Sequence, residues 1–543
     1  MDIKRFDFVC RVGCGILLAL VLAPFAGAEE AVGIVFHDIN GNGVYDEGEP
    51  PVAGVAVSNG EDVILTDNEG RYTLPMTDAG VFFVIKPSGW TVPVDPVTQI
   101  PQGHYIHRPE GSPSLRFGGV APTGPLPERI NFPLRPQQEN RQFKMICLGD
   151  TQPRDLDEVH YLAQDLVPEV IGLDAAFGFT LGDLVFDDLT VFEPMTQAVG
   201  MIGVPWHHVP GNHDMDFDAP TWQQSFETYQ RVFGPPYYAF AYADAHLFVL
   251  NNIRWDVEER SYHAEMGEQQ RAFVKNYLNY VPKDHLLIFL MHIPVMGMHD
   301  QEEFLALFAD YPHTVSLAAH WHRHEHFFLN AEDGWHGDKP HHHIVHATAG
   351  GAWYRGHYDA VGIPRAVMAD GIPKGYSLIT VDGNQYNMLY RATRRPATYQ
   401  MDIYAPAGIA RDDVVGQEVI VNFFNGSENC RLEMRLNDGP WTAMEQFTGF
   451  APFYVELYER QELFLQLVAG VQGMDDADER TLRRIEHQFQ PVMGRGQPEP
   501  RETKHLWRGA LTDHGRVGYN TIEVRAHDMF GNTHDAIRHI RID

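Results

Sequence analysis

The sequence predicts a layered α/β domain in the middle of the chain, with a β-rich domain on either side of it. Residues 30–138 contain short alternating strands separated by Asn-Gly and Pro-rich turns, which is typical of a small β-sandwich. Residues 143–393 alternate apolar strands with helical stretches, as layered α/β domains do, and β character returns over 396–543. A chain of 543 residues with 44% hydrophobic content is long enough for these separate cores.

Individual elements follow from the local patterns. Central strands are predicted at 145–148, 177–181 and 206–209, with helices near 155–166 and 191–202. The clearest strands of the last domain are 418–424, 431–436 and 521–526. A polar, helix-compatible insertion near 475–487 and the stretch 496–504 are expected to interrupt that domain.

The first 28 residues have the features of a secretory signal peptide. A basic start is followed by an apolar stretch over 15–23 and by the small-residue pattern Ala26-Gly27-Ala28. The apolar run is well short of the ~20 residues that a membrane-spanning helix needs. We therefore expect cleavage near Ala28 and export to the periplasm, the cell surface or the medium. No later stretch is apolar enough to predict a transmembrane helix in the mature chain.

Composition excludes some classes of partner. The chain has 41 Lys plus Arg against 73 Asp plus Glu, a formal charge of −32, and no basic cluster that could form a nucleic-acid-binding surface. Cys147 and Cys430 lie far apart in different predicted domains, so no disulfide framework is expected.

Residues 38–49 have the spacing of a twelve-residue calcium loop. Oxygen-bearing side chains occupy loop positions 1, 3, 5, 9 and 12, a glycine at position 6 allows the sharp turn, and position 7 offers its carbonyl. The candidate ligands are Asp38, Asn40, Asn42, Val44, Asp46 and Glu49. The same residue types also suit a metal-free, Asx-rich hairpin. With the later stretch 66–72, the loop resembles the calcium-binding B-type modules of bacterial surface proteins, which implies a structural calcium ion.

Five polar phrases in the central region each lie at or just after the end of an apolar strand. They are Gly149-Asp150-Thr151-Gln152, the stretch Gly182-Asp183 to Asp187, Gly211-Asn212-His213-Asp214, Met291-His292 and His320-Trp321-His322. The carboxyl ends of strands in an α/β sheet converge on one edge, so these side chains are expected to meet. Mixed carboxylate and imidazole ligands suit divalent metals such as Mn, Fe or Zn.

In this ordered set the sequence resembles the calcineurin-like metallophosphoesterase superfamily across roughly residues 143–393. The resemblance implies a layered α/β/β/α sandwich that holds two divalent metals. One metal would be held by Asp150, Gln152, Asp183 and His322, and the other by Asp183, Asn212, His292 and His320, so Asp183 bridges them. Two metals ~3.5–4 Å apart can activate a shared water as hydroxide for an in-line phosphoryl displacement. His213 would contact the phosphoryl oxygens or protonate the leaving group.

Three positions depart from the family pattern. Many members have His where Gln152 stands; a neutral amide oxygen would bind the first metal more weakly or favour a harder ion. Ala319 replaces the Gly that usually precedes the last His pair. The acidic residue after Asp183 falls one position late, so either Asp187 or Asp214 could orient His213.

A Gly-rich turn and aromatic residues follow the last metal motif and suggest a substrate pocket. The candidates are Trp353, Asp370 and Tyr376, although an ordinary packed loop explains them equally well. Phrases in the flanking domains make nearly the whole chain similar to metallophosphoesterases with dedicated N-terminal and C-terminal modules. The predicted function is an exported di-metal phosphoesterase that hydrolyses phosphomonoester or phosphodiester bonds of a small molecule or a cell-envelope component. The alternative is a surface or glycan-binding protein whose central domain is catalytically inert.

Overall fold

The computed structural model describes residues 29–543, so the predicted signal peptide lies outside the described residues. The N-terminal region forms two four-stranded sheets, in the orders β4-β1-β8-β6 and β3-β2-β5-β7. Their strands are β1 (Glu30–His37), β2 (Ala56–Ser58), β3 (Val63–Leu65), β4 (Arg71–Pro75), β5 (Val81–Val84), β6 (Trp90–Thr91), β7 (His104–Ile106) and β8 (Phe132–Pro136). Val35 and Phe132 of the first sheet share one apolar cluster with Val57 and Phe82 of the second, which joins the two sheets.

The central region contains a five-stranded sheet, β11-β10-β9-β20-β21, and a six-stranded sheet, β12-β13-β16-β17-β19-β18. The strands are β9 (Gln142–Leu148), β10 (Phe177–Thr180), β11 (Trp206–His208), β12 (Tyr238–Tyr242), β13 (Ala245–Val249), β14 (Ile253–Asp256), β15 (Ser261–Ala264), β16 (Leu286–Leu290), β17 (Thr314–Ala318), β18 (Glu325–Leu329), β19 (His341–Val345), β20 (Gly375–Asp382) and β21 (Gln385–Ala392). The helices are α1 (Leu156–Asp165), α2 (Val167–Val170), α3 (Phe192–Gly200), α4 (Glu227–Phe233), α5 (Glu268–Leu278) and α6 (Gln301–Ala306). Strands β9, β10 and β11 are parallel to one another, as are β13, β16, β17 and β19.

Side-chain alternation gives the two central sheets one shared core. In β9, Met145 and Cys147 pack in the same cluster as Leu286 and Ile288 of β16 in the other sheet. The intervening residues of these strands, such as Ile146, pack instead in a larger cluster that contains residues of the helices. Because successive strand side chains point to opposite faces, one face of each sheet meets the other sheet.

The C-terminal region forms a four-stranded sheet, β22-β24-β28-β27, and a five-stranded sheet, β23-β30-β29-β25-β26. The strands are β22 (Met401–Tyr404), β23 (Gly408–Ile409), β24 (Glu418–Phe423), β25 (Arg431–Leu436), β26 (Thr442–Ala443), β27 (Glu445–Phe450), β28 (Glu502–Ala510), β29 (Gly518–His527) and β30 (Thr533–Ile542). Helices α7 (Pro452–Val471) and α8 (Glu479–Met493) lie between β27 and β28. Among residues 29–543 no helix is both long and apolar enough to span a bilayer.

The predicted elements occur close to their expected positions, with one substantial difference. Strands β9, β10, β11, β24 and β25 and helices α1 and α3 confirm the sequence prediction. The insertion is larger than predicted, because it begins at Pro452 with a twenty-residue helix, and residues 502–504 belong to β28. The three domain boundaries stay predictions.

Candidate metal centre

The polar phrases follow parallel strands of both central sheets. Asp150, Asp183 and Asn212 come after β9, β10 and β11, while His292 and the pair His320 and His322 come after β16 and β17. The carboxyl ends of these strands therefore converge on one edge of the two sheets. Asp150, Asp183, Asn212 and His292 are at most 3% exposed. Polar side chains from five separate segments thus meet at this edge, most of them buried and His320 half-buried.

One group of lone pairs converges around His292. Its Nδ1 lies 2.8 Å from the carbonyl oxygen of Leu181, so Nδ1–H donates there and Nε2 keeps a free lone pair. That Nε2 atom lies 3.0 Å from Asn212 Oδ1, 3.2 Å from Asp183 Oδ1 and 3.2 Å from His320 Nδ1. The potential ligand atoms of Asp183, His292 and His320 all lie within 4.8 Å of one another. Several lone pairs facing one point repel one another unless a cation lies between them.

A second group surrounds Asp150. Nδ1 of His322 lies 2.8 Å from the carbonyl oxygen of Gly351 and donates to it, which leaves Nε2 facing Asp150 Oδ2 at 3.0 Å. In this tautomer neither atom has a proton to share, and Asp150 Oδ2 has no hydrogen-bond donor. Gln152 Oε1 is also buried without a partner, while its Nε2 donates to Asp183 Oδ2 at 2.9 Å. Buried acceptors without donors are costly in a folded protein, and a cation at this position would satisfy them.

Backbone strain is concentrated in the same residues. Gln152, Asp183, Asp187, His320 and His322 are non-glycine residues with φ between 41° and 63°. This left-handed region costs L-residues free energy and persists only where the surroundings enforce it. The strained positions therefore mark a site whose side chains are placed at a cost in stability.

His213 and the two candidate partners differ clearly in their surroundings. His213 Nδ1 lies 2.6 Å from Asp187 Oδ1, and its Nε2 faces Asp183 Oδ2 at 4.0 Å. Asp214 is fully buried, and its carboxylate accepts the backbone N–H groups of Gly211, Leu184 and Val185 at 2.7, 2.9 and 3.2 Å. The structure thus places Asp187, and not Asp214, against the imidazole. Asp214 holds together the two loops that carry Asp183 and Asn212.

The electrostatics of the cluster favour bound positive charge. Burial acts to lower the pKa of His292, but the carboxylates of Asp183 and Asp150 outweigh it and raise that pKa to about 9. Burial would raise the pKa of Asp183, yet the neighbouring imidazoles hold it below its usual range. Burial and the charge of His292 lower the pKa of His320 to about 4. Burial and the charge of Asp183 raise the pKa of Asp214 to about 7. Carboxylates that draw a proton onto His292 would attract a metal cation in the same way.

The three pocket candidates do not share one environment. Trp353 is half-buried and stacks on His322, with ring centroids 4.0 Å apart. Asp370 is buried and accepts the backbone N–H of His324 at 2.9 Å and that of Ile372 at 3.0 Å. Tyr376 is fully buried, and its hydroxyl has no hydrogen-bond partner in the described part of the chain. Only Trp353 of the three therefore contacts a candidate metal ligand.

Three residues at the rim were given no role by sequence reasoning, although one of them, Phe186, lies within the motif stretch 182–187. Phe186 stacks on His213 with ring centroids 4.4 Å apart, and the guanidinium of Arg154 lies 4.2 Å from the Phe186 centroid. Tyr262, from the β14–β15 hairpin, meets His320 edge-on at 6.3 Å. Arg154 follows Gln152 by two positions, which is the only signal in the sequence that could have drawn attention to it.

The N-terminal loop is well ordered by its own side chains. Asp38 is 1% exposed, and its carboxylate accepts the backbone N–H groups of Gly41, Asn42 and Gly43 at 2.7–3.2 Å. Glu49 closes the loop by accepting from Ile39 and Asp46 at 2.9 and 3.0 Å. The side-chain amides of Asn40 and Asn42 both donate to Asp46 Oδ2. These bonds occur in a metal-free Asx turn as well as in a calcium loop, so they do not separate the two interpretations.

Comparisons with known proteins agree with this geometry. The family model described as calcineurin-like phosphoesterase matches residues 143–324. The models for the N-terminal and C-terminal parts of calcineurin-like phosphoesterases match residues 38–117 and 343–470. A search of curated proteins finds no match.

Two solved structures are similar to the chain at low identity. A dimetal phosphatase from Danio rerio is 13% identical and has a TM-score of 0.32, over 46% of this chain and 98% of its own. The purple acid phosphatase PPD1 from yellow lupin (Lupinus luteus) seeds is also 13% identical and has a TM-score of 0.34, over 67% of each chain.

The family matches and the donor set define a metal-dependent phosphoesterase. The chain belongs to the calcineurin-like phosphoesterases, in the group with dedicated N-terminal and C-terminal modules. Its residues fit the divalent metals that the family implies, because carboxylate, amide and imidazole groups converge there and the buried oxygens Asp150 Oδ2 and Gln152 Oε1 have no donor.

Proposed function

We propose that this protein is an exported phosphoesterase that uses two divalent transition metals to hydrolyse a phosphomonoester or a phosphodiester. The observation that supports it most directly is the convergence of lone pairs from both central sheets on one buried edge. Asp150, Gln152, Asp183 and His322 would hold one metal, and Asp183, Asn212, His292 and His320 the other. When bound, such metals stabilise negative charge on phosphoryl oxygens and lower the pKa of water.

The chain's own groups would position the substrate and move protons. Asp187 fixes the ring of His213 through Nδ1, so Nε2 faces the centre, where it can donate to a phosphoryl oxygen or to the leaving group. Phe186 packs on the His213 ring and limits its rotation. His292 and His322 are oriented by backbone carbonyls, which fixes their tautomers and their ring planes.

A four-layer α/β/β/α order of the central domain is part of the same proposal. The alternation of Met145 and Ile146 between the sheet-to-sheet cluster and the helix-containing cluster supports it. In this order the loops after parallel strands of both sheets would surround the metals from two sides.

The central experiment measures metal-dependent turnover. Purified protein, stripped with chelator and then given Mn, is expected to hydrolyse p-nitrophenyl phosphate or its bis ester and to bind two metal ions per chain. Asp183→Ala and His292→Ala should each abolish turnover, since each removes a buried charge partner as well as a ligand. His539→Ala, at an exposed position on β30, serves as the control and should behave as wild type.

The other outcomes are equally informative. Turnover that persists in Asp183→Ala or His292→Ala would contradict the assignment of the centre. Failure of the folded wild-type protein to bind two metals, with no turnover on a panel of phosphoesters, would favour the surface or glycan-binding alternative.

Export is proposed from the N-terminal 28 residues. When the full chain is produced in a bacterial host, we expect the mature protein outside the cytoplasm with Glu29 as its first residue. A chain without residues 2–28 should stay in the cytoplasm. Recovery of the uncleaved chain from the cytoplasm would argue against export.

Calcium binding by the loop 38–49 is proposed as a structural feature. The twelve-residue spacing and the buried Asp38 carboxylate support it. Calorimetric titration should detect one calcium ion per chain that is lost in Asp38→Ala and retained in Asp67→Ala, a matched change in a neighbouring turn. If both variants bind calcium equally, the loop 38–49 is not the calcium site and is a metal-free turn.

A further inference from the structure

The segment 350–356 forms a rigid loop over the metal centre. Trp353 and Tyr354 are consecutive non-glycine residues with φ of 52° and 50°, a costly backbone arrangement. Tyr354 Oη donates to the carbonyl of Thr151 at 2.8 Å, and the N–H of Gly356 donates to the carbonyl of Arg495 at 2.7 Å. The loop is therefore fixed from both the metal-centre side and the C-terminal module. This strained geometry places Trp353 on His322 and the Arg355 guanidinium near the Trp353 ring.

Arg355 has no partner for its charge. Its guanidinium carbon lies 5.6 Å from the Trp353 ring centroid, and its Nε is buried without a hydrogen bond. Within residues 29–543 the side chain makes no hydrogen bond, and no carboxylate lies within 4.0 Å of it; Glu486 acts on it only from beyond that distance. In a chain with 73 acidic residues, an uncompensated guanidinium beside a metal centre is unexpected on composition alone.

Two further arginines lie on the same side of the centre. The Arg154 Nη1 atom donates to the carbonyl of Trp353 at 3.0 Å, and its guanidinium covers Phe186. Arg495, from the end of the C-terminal insertion, pairs with Glu158, which also pairs with Arg154. Glu158 is 2% exposed and is the one carboxylate shared by both ion pairs. The side chain of Arg154 is 21% exposed and that of Arg495 is 27% exposed, so both arginines remain accessible.

We propose that Arg355, with Arg154 and Arg495, forms a second phosphate-binding subsite, and that the substrate carries a second phosphate in addition to the one that is hydrolysed. This inference rests on the proposed phosphoesterase function. Arg355 and the metal ligand His322 both lie against Trp353, at 5.6 Å and 4.0 Å from its ring centroid, so they are close enough for a spacer of about the size of a sugar ring to join the two phosphates. Guanidinium groups bind phosphate through paired N–H donors. Such directional hydrogen bonds hold a second phosphate in one position, which a general positive charge does not.

The test compares two substrates that differ by one phosphate. We expect wild-type protein loaded with Mn to release phosphate from fructose 1,6-bisphosphate with a kcat/KM at least about tenfold above that for fructose 6-phosphate. The free energy of one charge-assisted hydrogen bond corresponds to a factor of about this size. Arg355→Gln should reduce this ratio at least about tenfold, mainly through KM, because the contact is made equally in the ground and transition states. Arg355→Lys should recover part of the ratio. Arg460→Gln, which removes an exposed arginine of α7, should leave it unchanged.

The outcomes separate this inference from the proposed function. If the protein hydrolyses p-nitrophenyl phosphate but treats the two fructose phosphates alike, the subsite is refuted and the phosphoesterase stands. The same holds if Arg355→Gln, folded by circular dichroism, keeps the wild-type ratio. If no phosphoester is turned over with any metal, the proposed function itself fails and the subsite fails with it.

Discussion

Gly211 should tolerate no side chain, because it lies directly against the carboxylate of Asp183, which is proposed to bridge the two metals. A Cβ added at this position would lie 1.9 Å from the backbone nitrogen of Asp183 and 2.3 Å from Asp183 Oδ1. Non-bonded heavy atoms separate at about 3.5 Å, so Gly211→Ala must displace Asp183 or its own loop by more than about 1 Å. Misplacement by 1 Å can cost about 10²-fold in rate, and overpacking of this kind costs about 1–3 kcal/mol in stability.

The assay is Mn-dependent hydrolysis of p-nitrophenyl phosphate, with bound metal and the melting temperature measured on the same samples. Gly211→Ala should lose about 10²-fold in kcat/KM and should bind less metal. Gly297→Ala is the matched control, because its added Cβ would meet only Ile293 Cγ2, at 3.3 Å, in a turn near His292. If folded Gly211→Ala kept activity within about twofold of wild type, the tight packing of Asp183 against this loop would be refuted.

Two further predictions concern the proposed proton donor His213 and a buried ion pair. Asp187→Asn should lower the pKa of His213, because it removes a carboxylate that raises that pKa, so the alkaline limb of kcat/KM for phenyl phosphate should move to lower pH. Asp188→Asn, which alters only a local helix cap, should leave the profile in place. Lys374→Ala should destabilise the protein by about 1–3 kcal/mol in urea unfolding, since Asp165 would lose its buried ammonium partner and keep only Arg394, at 3.6 Å; a loss below about 0.5 kcal/mol would contradict this.

Most metal-ligand candidates could be located from sequence because of one property of parallel sheets. Each polar phrase follows an apolar strand, and carboxyl ends of parallel strands share an edge. What the sequence could not decide was which acid faces His213, since Asp214 is adjacent to it in sequence and Asp187 follows the neighbouring metal motif, and spacing alone does not show which carboxylate meets the ring. The structure separates them through the backbone: Asp214 accepts three buried N–H groups, whereas Asp187 is free to meet the ring.

Helix α7 shows a signal that was present and overlooked. Its buried residues Tyr454, Gln461, Leu465 and Ala469 fall on one face at helical spacing, but many apolar residues on other faces obscure the period.

The contact of Arg495, in contrast, had no signal in the sequence. Arg495 reaches Glu158 across 337 residues of sequence, and no local pattern encodes a contact of that range.

The C-terminal module packs against the central region and helps to hold the loop beside the metal centre. Val367 and Ala369 of the central region share an apolar cluster with Tyr454 and Leu506, and Arg495 supports the loop that carries Trp353. The C-terminal family model likewise begins at residue 343, inside the predicted catalytic domain. A chain cut at residue 395 would expose this cluster to water and release the loop over His322. Such a chain should therefore lose solubility and turnover together, because the loop with the strained backbone at Trp353 would lose its bond to Arg495 and keep only those to the metal-centre side.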